Sequence, residues 1–221
     1  KRVPGLVIAQ KNCMMAISGN YIDNAIVEWT NEYDVFPDFG PNEYSFGGLS
    51  ISGNHFTVKR VLSDYAFLSI RPYGRDHHIH GLTVSNNVFL VIGPKIQRID
   101  KVDTTFADLD YSRMRNVMFD GNNFNGVLDY VANPIQITHT QSTAQASWVV
   151  PLTNCLPFGA WAKNVDSVVA VSIIQNAVNA QVTEMPWVRT QQGANRQNLQ
   201  IEWAQPAKGK VTIRARMDEP G

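Results

Sequence analysis

The sequence predicts an all-β protein in which a solenoid of stacked parallel strands is followed by a small antiparallel domain. Three observations predict this fold class. A short phrase recurs four times, apolar residues alternate within each copy, and separate strand-like segments follow the last copy.

The recurring phrase reads LSISGNHF at 49 to 56 and returns as MAISGNYI (15 to 22), LTVSNNVF (82 to 89) and VMFDGNNF (117 to 124). Alignment places Asn20, Asn54, Asn87 and Asn122 in one column, at intervals of 34, 33 and 35 residues. A near-constant period of about 20 to 50 residues is typical of a solenoid, in which each unit covers the apolar face of the next. The alternative is four separate hairpin turns, which Gly-Asn pairs also mark.

Three apolar columns accompany the asparagines and favour the stack. Their members are Met15, Leu49, Leu82 and Val117, then Ile17, Ile51, Val84 and Phe119, then Ile22, Phe56, Phe89 and Phe124. Hairpins do not require shared columns, whereas stacked strands do. Equivalent asparagines would then lie about 4.8 Å apart, so that their amides can hydrogen-bond along the stack.

These phrases resemble the right-handed parallel β-helix of the pectin-lyase-like superfamily, whose coils carry an I-S-G-N-x-F phrase and an internal asparagine ladder. The resemblance covers about residues 6 to 133 and implies parallel β-helix coils over 1 to 135. That fold carries lyases, hydrolases and non-catalytic binding proteins. Because the chain starts in a strand-like GLVIA, we expect part of the coil stack to precede it, and we expect missing coils or partner chains to cover open strand edges.

After the last phrase, a polar segment at 136 to 147 is interpreted as a linker, and 148 to 221 as a β-sandwich-like domain. Its strand-like segments are WVVPL (148 to 152), SVVAVSII (167 to 174), AQVTEMPWV (180 to 188), LQIEWA (199 to 204) and KVTIRARM (210 to 217), with AKGK (207 to 210) as a hairpin loop. A β-helix with a small terminal β-domain resembles the layout of bacteriophage tailspikes. That layout implies a homotrimer at the virion surface, or otherwise outside the cell, that recognises a polysaccharide.

Composition narrows the classes of partner. Lys+Arg and Asp+Glu number 19 each, so no excess of positive charge favours nucleic acid. No apolar run of about 18 residues predicts membrane insertion. Cys13 and Cys155 form no zinc-type or disulfide framework, and whether they pair stays open. We expect no cofactor and no metal.

The acids of a long insert are the first catalytic candidates. If ADLDY is extended, Asp108 and Asp110 share a face with backbones about 6.6 Å apart, which is compatible with an inverting glycosidase. The competing interpretation is a solvated loop that its acids, Asp100, Asp103, Asp108 and Asp110, keep polar. Glu28 and Asp129 are also acidic but fall three coils apart, too far to cooperate directly.

The insert RPYGRDHHIHG at 71 to 81 supplies further candidates. In β-helix lyases a basic residue removes a proton next to a uronate carboxylate, and Arg71 and His77 have the right chemistry. Tyr73 and Arg75 of the same insert are predicted to contact sugar. A surface loop of satisfied polar groups is the alternative.

Aromatic residues are the usual platforms for sugar rings, and Trp29, Tyr33, Phe36 and Tyr44 cluster around the first insert. The sequence therefore favours a tailspike-like protein that binds a bacterial surface polysaccharide. A stronger form of this hypothesis is that the protein also depolymerises the polysaccharide. The alternatives are a secreted monomeric polysaccharide lyase or glycoside hydrolase, and a non-catalytic structural fibre segment.

Overall fold

The structure, a computed structural model, describes residues 5–40 and 44–220 and divides them into two compact units. The first unit runs through Asn133 and resumes at Glu219, and the second is Pro134–Asp218. Cys13 and Cys155 are both free thiols. No helix among the described residues is long and apolar enough to cross a membrane.

The first unit is a parallel β-solenoid with three four-stranded sheets. Sheet A has the order β1 (Leu6–Ile8), β4 (Val27–Thr30), β7 (Leu68–Arg71), β10 (Asp100–Val102). Sheet B has the order β11 (Arg115–Asp120), β8 (His80–Ser85), β5 (Gly47–Ser52), β2 (Asn12–Ser18). Sheet C has the order β12 (Asn123–Asn125), β9 (Val88–Ile92), β6 (His55–Lys59), β3 (Tyr21–Asp23). Every pairing between these strands is parallel, which confirms the predicted stack.

The apolar columns are in the register that the repeat predicts. In sheet B, Leu49 is paired with Leu82 and lies inside the solenoid. In sheet C, the Phe56 and Phe89 rings stack with centroids 4.9 Å apart, and Phe89 and Phe124 stack at 5.9 Å. Burial of these columns holds successive coils together, because one coil alone leaves its apolar side in water.

The four column asparagines form the predicted ladder. The Nδ2 of Asn20 donates to Oδ1 of Asn54 across 3.1 Å. The same bond joins Asn54 to Asn87 and Asn87 to Asn122, each at 3.0 Å. Asn54 and Asn87 are 2% and 0% exposed, so the ladder runs through the interior.

Residues of the first unit itself cover part of the outer edge of β11. Asn133 forms an antiparallel bridge with Phe119, and its Nδ2 donates to the Val117 carbonyl across 2.6 Å. Glu219 forms a parallel bridge with Arg115 on the same strand. These two bridges cover the edge in part with residues of the same chain, and cover of the remaining strand edges by missing coils or partner chains stays a prediction.

The second unit is a five-stranded antiparallel sheet centred on one long strand. Its strands are β13 (Ile135–Pro151), β14 (Asn164–Ala170), β15 (Gln175–Asn176), β16 (Trp187–Gln192) and β17 (Asn198–Arg216). The other four each pair with β17. Trp148 anchors its core: the ring is fully buried and Nε1 donates to the Ala207 carbonyl across 2.9 Å. Two single 3-10 turns, Tyr111–Arg113 in the first unit and Pro157–Gly159 in the second, are the helical elements of the described residues.

Three details of this unit differ from the sequence prediction. The polar segment 136 to 147 is not a linker, since it lies inside β13 and pairs with β17 from Gln136↔Arg214 onward. The segment 207 to 210 is not a hairpin loop, because Lys210 and Gly209 stay in β17, opposite Thr140 and Gln141. The described strands form one sheet rather than a two-sheet sandwich.

Candidate functional site

A charged groove of about 300 Å³ lies on the outward side of sheet A. Val27 and Trp29 of β4 point into the core, each 2% exposed, so Glu28 between them points outward. The polar groups that line the groove are Glu28, Glu32, Ser69, Arg71, Lys101 and Asp103.

Strand register explains why these residues meet. Glu28 of β4 is paired with Ser69 of β7, and Ser69 is paired with Lys101 of β10. Neighbouring strands lie about 4.8 Å apart, so these three form one row across the sheet. Arg71 follows two residues after Ser69 on the same face, and the backbone N–H of Asp103 donates to the Ile70 carbonyl across 2.7 Å, which holds Asp103 beside it.

Two of the three carboxyl groups that line the groove, those of Glu28 and Asp103, have pKa values shifted in opposite directions. Burial raises the pKa of Glu28 above its ordinary value, Arg71 opposes this, and the negative charges of Asp103 and Glu32 add to it. Burial also tends to raise the pKa of Asp103. Hydrogen bonds from Thr105 and the charge of Arg71 outweigh that effect, so the pKa of Asp103 is lowered. One carboxyl group is thus disposed to keep its proton and the other to lose it.

Arg71 is held at the groove by a carboxylate and two rings. Its Nε lies 3.8 Å from Oδ2 of Asp103, and this buried Nε donates no hydrogen bond to any of the described residues. Its Cζ lies 4.8 Å from the Phe106 ring centroid and 5.6 Å from that of Tyr73. The two rings stack with centroids 4.3 Å apart. Of the residues predicted from the sequence, Arg71 therefore lines the groove, while Tyr73 lies beside Arg71 and outside the lining.

The predicted acid pair lies at a second cavity, of about 470 Å³, together with Arg75. Oδ1 of Asp108 accepts from the Leu109 N–H across 2.7 Å. Oδ1 of Asp110 accepts from the Ser112 N–H across 2.9 Å and caps the 3-10 turn. Both acids thus form local turns, and their use in catalysis stays a prediction.

His77 is not at the surface. It is fully buried, and its Nε2 lies 2.6 Å from the Pro37 carbonyl while its Nδ1 lies 3.3 Å from Oγ of Ser45. Its ring also packs edge-on against Phe46 at 5.6 Å. An imidazole enclosed in this way joins two inserts and does not contact a ligand, so the predicted catalytic role lacks the access that it requires.

The aromatic candidates divide into one core residue and three exposed ones. Trp29 is buried, donates from Nε1 to the Gln10 carbonyl across 2.9 Å and packs on Phe46, so it presents no face to a sugar. The other three, Tyr33, Phe36 and Tyr44, are 76%, 79% and 73% exposed. Exposure of these three rings agrees with their predicted position, and their contact with glycan stays a prediction.

The sequence did not single out Glu28, Lys101 and Asp103 as one group. The repeat relates Glu28 to Asp129 rather than to Asp103, because Glu28 and Asp129 each follow an asparagine turn of their own. Sheet A has no recurring phrase, and its strands lie between inserts of unequal length. A usable signal was the alternation in VEWT, where Glu28 is the outward residue between apolar neighbours.

No protein-family model matches the chain, and neither the curated proteins nor the solved structures contain a significant match. The class of protein therefore follows from the geometry alone: a parallel β-solenoid with a charged groove across one sheet. Within residues 5–40 and 44–220, no three His, Cys, Asp or Glu side chains are grouped so as to hold a metal ion.

Proposed function

We propose that this chain belongs to a tailspike-like protein that binds a bacterial surface polysaccharide and hydrolyses it in the groove on sheet A. The observation that carries the proposal is the pair Glu28 and Asp103, whose pKa values are shifted in opposite directions in one groove. Such a pair is what glycoside hydrolysis requires.

In this proposal Glu28 is the general acid and Asp103 the general base. Glu28 gives its proton to the glycosidic oxygen as the bond from that oxygen to the anomeric carbon breaks. A water oxygen bonds to the anomeric carbon, and Asp103 takes the proton that this water releases. Hydrogen bonds from Thr105, together with the charge of Arg71, keep the Asp103 carboxylate ionised, and Arg71 also supplies donors to sugar oxygens.

Binding is supported by the stacked rings next to Arg71. Phe106 is 54% exposed, and an aromatic side chain presents apolar surface against which the C–H groups of a sugar can pack. Phe106 lies outside the groove lining, and Ser69 and Lys101 add hydrogen-bond donors within the groove itself. Apolar and hydrogen-bonding groups side by side suit a ligand that carries both C–H faces and hydroxyl groups.

The test is incubation of the chain with a panel of bacterial capsular polysaccharides and O-antigens, followed by assay of new reducing ends. Glu28→Gln and Asp103→Asn are each expected to lower the rate about 100-fold or more while binding persists. Asp120→Asn, an exposed acid on sheet B, is the matched control and should keep the wild-type rate. Full activity of Glu28→Gln would contradict the proposal, and products with unsaturated, ultraviolet-absorbing ends would favour a lyase.

The tailspike-like part of the proposal includes a homotrimer that acts outside the cell or at a virion surface. Its support is the layout of the chain, a solenoid followed by a small antiparallel unit. Sedimentation equilibrium of the complete protein should give the mass of three chains. A monomeric mass would favour a secreted enzyme, and absence of binding to every polysaccharide in the panel would favour a structural fibre.

A further inference from the structure

We propose that the second cavity, of about 470 Å³, is a further sugar-binding subsite that takes a neutral residue of the same glycan chain. The inference rests on the proposed function, because it assigns to the cavity another part of the groove's substrate. It adds that the protein binds a chain of several sugars rather than one terminal residue. Phe106 is the specificity-determining residue.

Phe106 connects the two concave sites. It lines the second cavity, while Arg71 lines the groove and places its Cζ 4.8 Å from the Phe106 ring centroid. Tyr73 stacks on Phe106 at 4.3 Å, which fixes the orientation of that ring. A chain that leaves the groove past Arg71 therefore meets an exposed aromatic surface and then the second cavity.

The polar lining of the cavity is fixed before any ligand binds. Arg75 donates from Nη2 to Oδ2 of Asp38 across 2.9 Å, and its backbone N–H donates to Oδ1 across 2.8 Å. The hydrogen bonds that the described residues make to Asp108 and Asp110 go to Oδ1 of each, so Oδ2 of each can accept from a ligand hydroxyl.

The charges of the lining indicate the class of sugar. Asp38, Asp76, Asp108 and Asp110 line the cavity with Arg75 as the one cation among its described residues. An excess of carboxylates repels a uronate or a sulfated sugar and accepts hydrogen bonds from neutral hydroxyl groups. The groove contains both Arg71 and Lys101, so the two sites differ in the charge that they tolerate.

Close backbone packing holds one wall of the cavity in place. Gly74 has φ +80°, and a Cβ added there would lie 2.1 Å from the Pro37 carbonyl carbon. The insert that carries Arg75 is thus pressed against the insert that carries Asp38. The subsite is preformed, which reduces the ordering cost of binding.

The test uses an array of O-antigen and capsular fragments of graded length, probed with Glu28→Gln so that bound glycans are not cleaved. Adding Phe106→Ala should weaken binding of the longer fragments about tenfold and leave binding of the shortest bound fragments unchanged. Tyr21→Ala, an exposed aromatic on sheet C, is the control. Arg75→Ala, whose side chain is 82% exposed, probes the same cavity with little risk to folding.

Equal weakening at every length would show that Phe106 only supports Arg71, and it would overturn the inference. Unchanged binding in both the Phe106→Ala and Arg75→Ala backgrounds, or no binding to any fragment, would overturn it as well. Length-dependent loss without any cleavage by the wild type would remove the hydrolase assignment and leave the subsite standing. Cleavage by the wild type, with no length-dependent loss of binding in Phe106→Ala, would support the hydrolase assignment and remove the subsite.

Discussion

Asn54 donates both its backbone N–H and its side-chain Nδ2 to one oxygen, Oδ1 of Asn87, each across 3.0 Å. The same Asn87 side chain donates onward to Asn122 and back to the Ile51 carbonyl across 2.9 Å. One buried amide thus satisfies polar groups of three successive coils. The ladder stabilises the coil stack because those groups have no water to replace it.

We therefore expect Asn87→Ala to lower the free energy of unfolding by about 3 kcal/mol, since the buried Asn54 N–H loses its acceptor and the Ile51 carbonyl loses the bond from Asn87. Urea denaturation measures the change. Asn20→Ala, at the exposed end of the ladder, should cost about 1 kcal/mol or less. Equal losses for the two variants would contradict the argument from burial.

The rate of polysaccharide hydrolysis should show a bell-shaped dependence on pH. Glu28 must be protonated, and its pKa is raised, so the rate falls as pH rises through that pKa. Asp103 must be ionised, and its pKa is lowered, so the rate falls at the acidic end as pH drops through that value. Asp103→Asn should lower activity at every pH, and a rate that keeps rising with pH would rule out Glu28 as the acid.

Stability should also respond to Glu28. A raised pKa means that the folded state binds this proton more tightly than the unfolded state does. The contribution of this proton to the free energy of unfolding is fully present below the pKa that Glu28 has in the unfolded chain. It is lost as pH rises through the higher pKa that Glu28 has in the folded protein. Glu28→Gln should therefore raise the melting temperature relative to wild type at neutral pH, and the gap should shrink on acidification. A gap that is independent of pH would contradict this account.

Gly74→Ala should destabilise the first unit because the new Cβ would meet the Pro37 backbone and the residue would keep φ +80°. We expect a loss of about 2 kcal/mol or more, with weaker glycan binding. Gly19→Ala is the matched control, since Gly19 has φ +68° but nothing within 4 Å of an added Cβ. It should show only the smaller cost of the backbone conformation. Thermal melts of both variants check this difference.

Trp29→Ala should affect stability rather than ligand binding. Loss of the buried ring and its bond to the Gln10 carbonyl should cost about 3 to 5 kcal/mol. Tyr33→Ala, which removes a ring that is 76% exposed, should change stability by less than about 0.5 kcal/mol. If Trp29→Phe folded normally but lost glycan binding, Trp29 would be a sugar contact after all.

The solenoid was predictable because its information is local and repeated. Each coil carries its own Asn and its own apolar residues at fixed offsets, and Leu49 and Leu82 pair as the alignment requires. The groove was harder to predict. Glu28, Ser69 and Lys101 meet through a strand register that no recurring phrase marks, and the separations in sequence vary with the inserts.

The second unit shows where polarity misleads. Segment 136 to 147 is polar on most positions, yet it is a strand because its backbone groups pair with β17 and alternate residues are half-buried. The residues around Gly209 were predicted to reverse the chain. They remain in β17, next to a register shift between Gln141 and Gln145, because a neighbouring strand supplies hydrogen bonds on that side, which is a tertiary effect that composition does not reveal.

The bridges that Asn133 and Glu219 make to β11 have a consequence for self-association. A bare parallel edge is a template on which another molecule can add strands, and repeated addition would produce fibrils. Here Phe119 and Arg115 already have bridging partners from the same chain. Growth of sheet B on that edge is therefore blocked at these two positions, and substitutions that remove the Asn133 bridge should first become visible as turbidity.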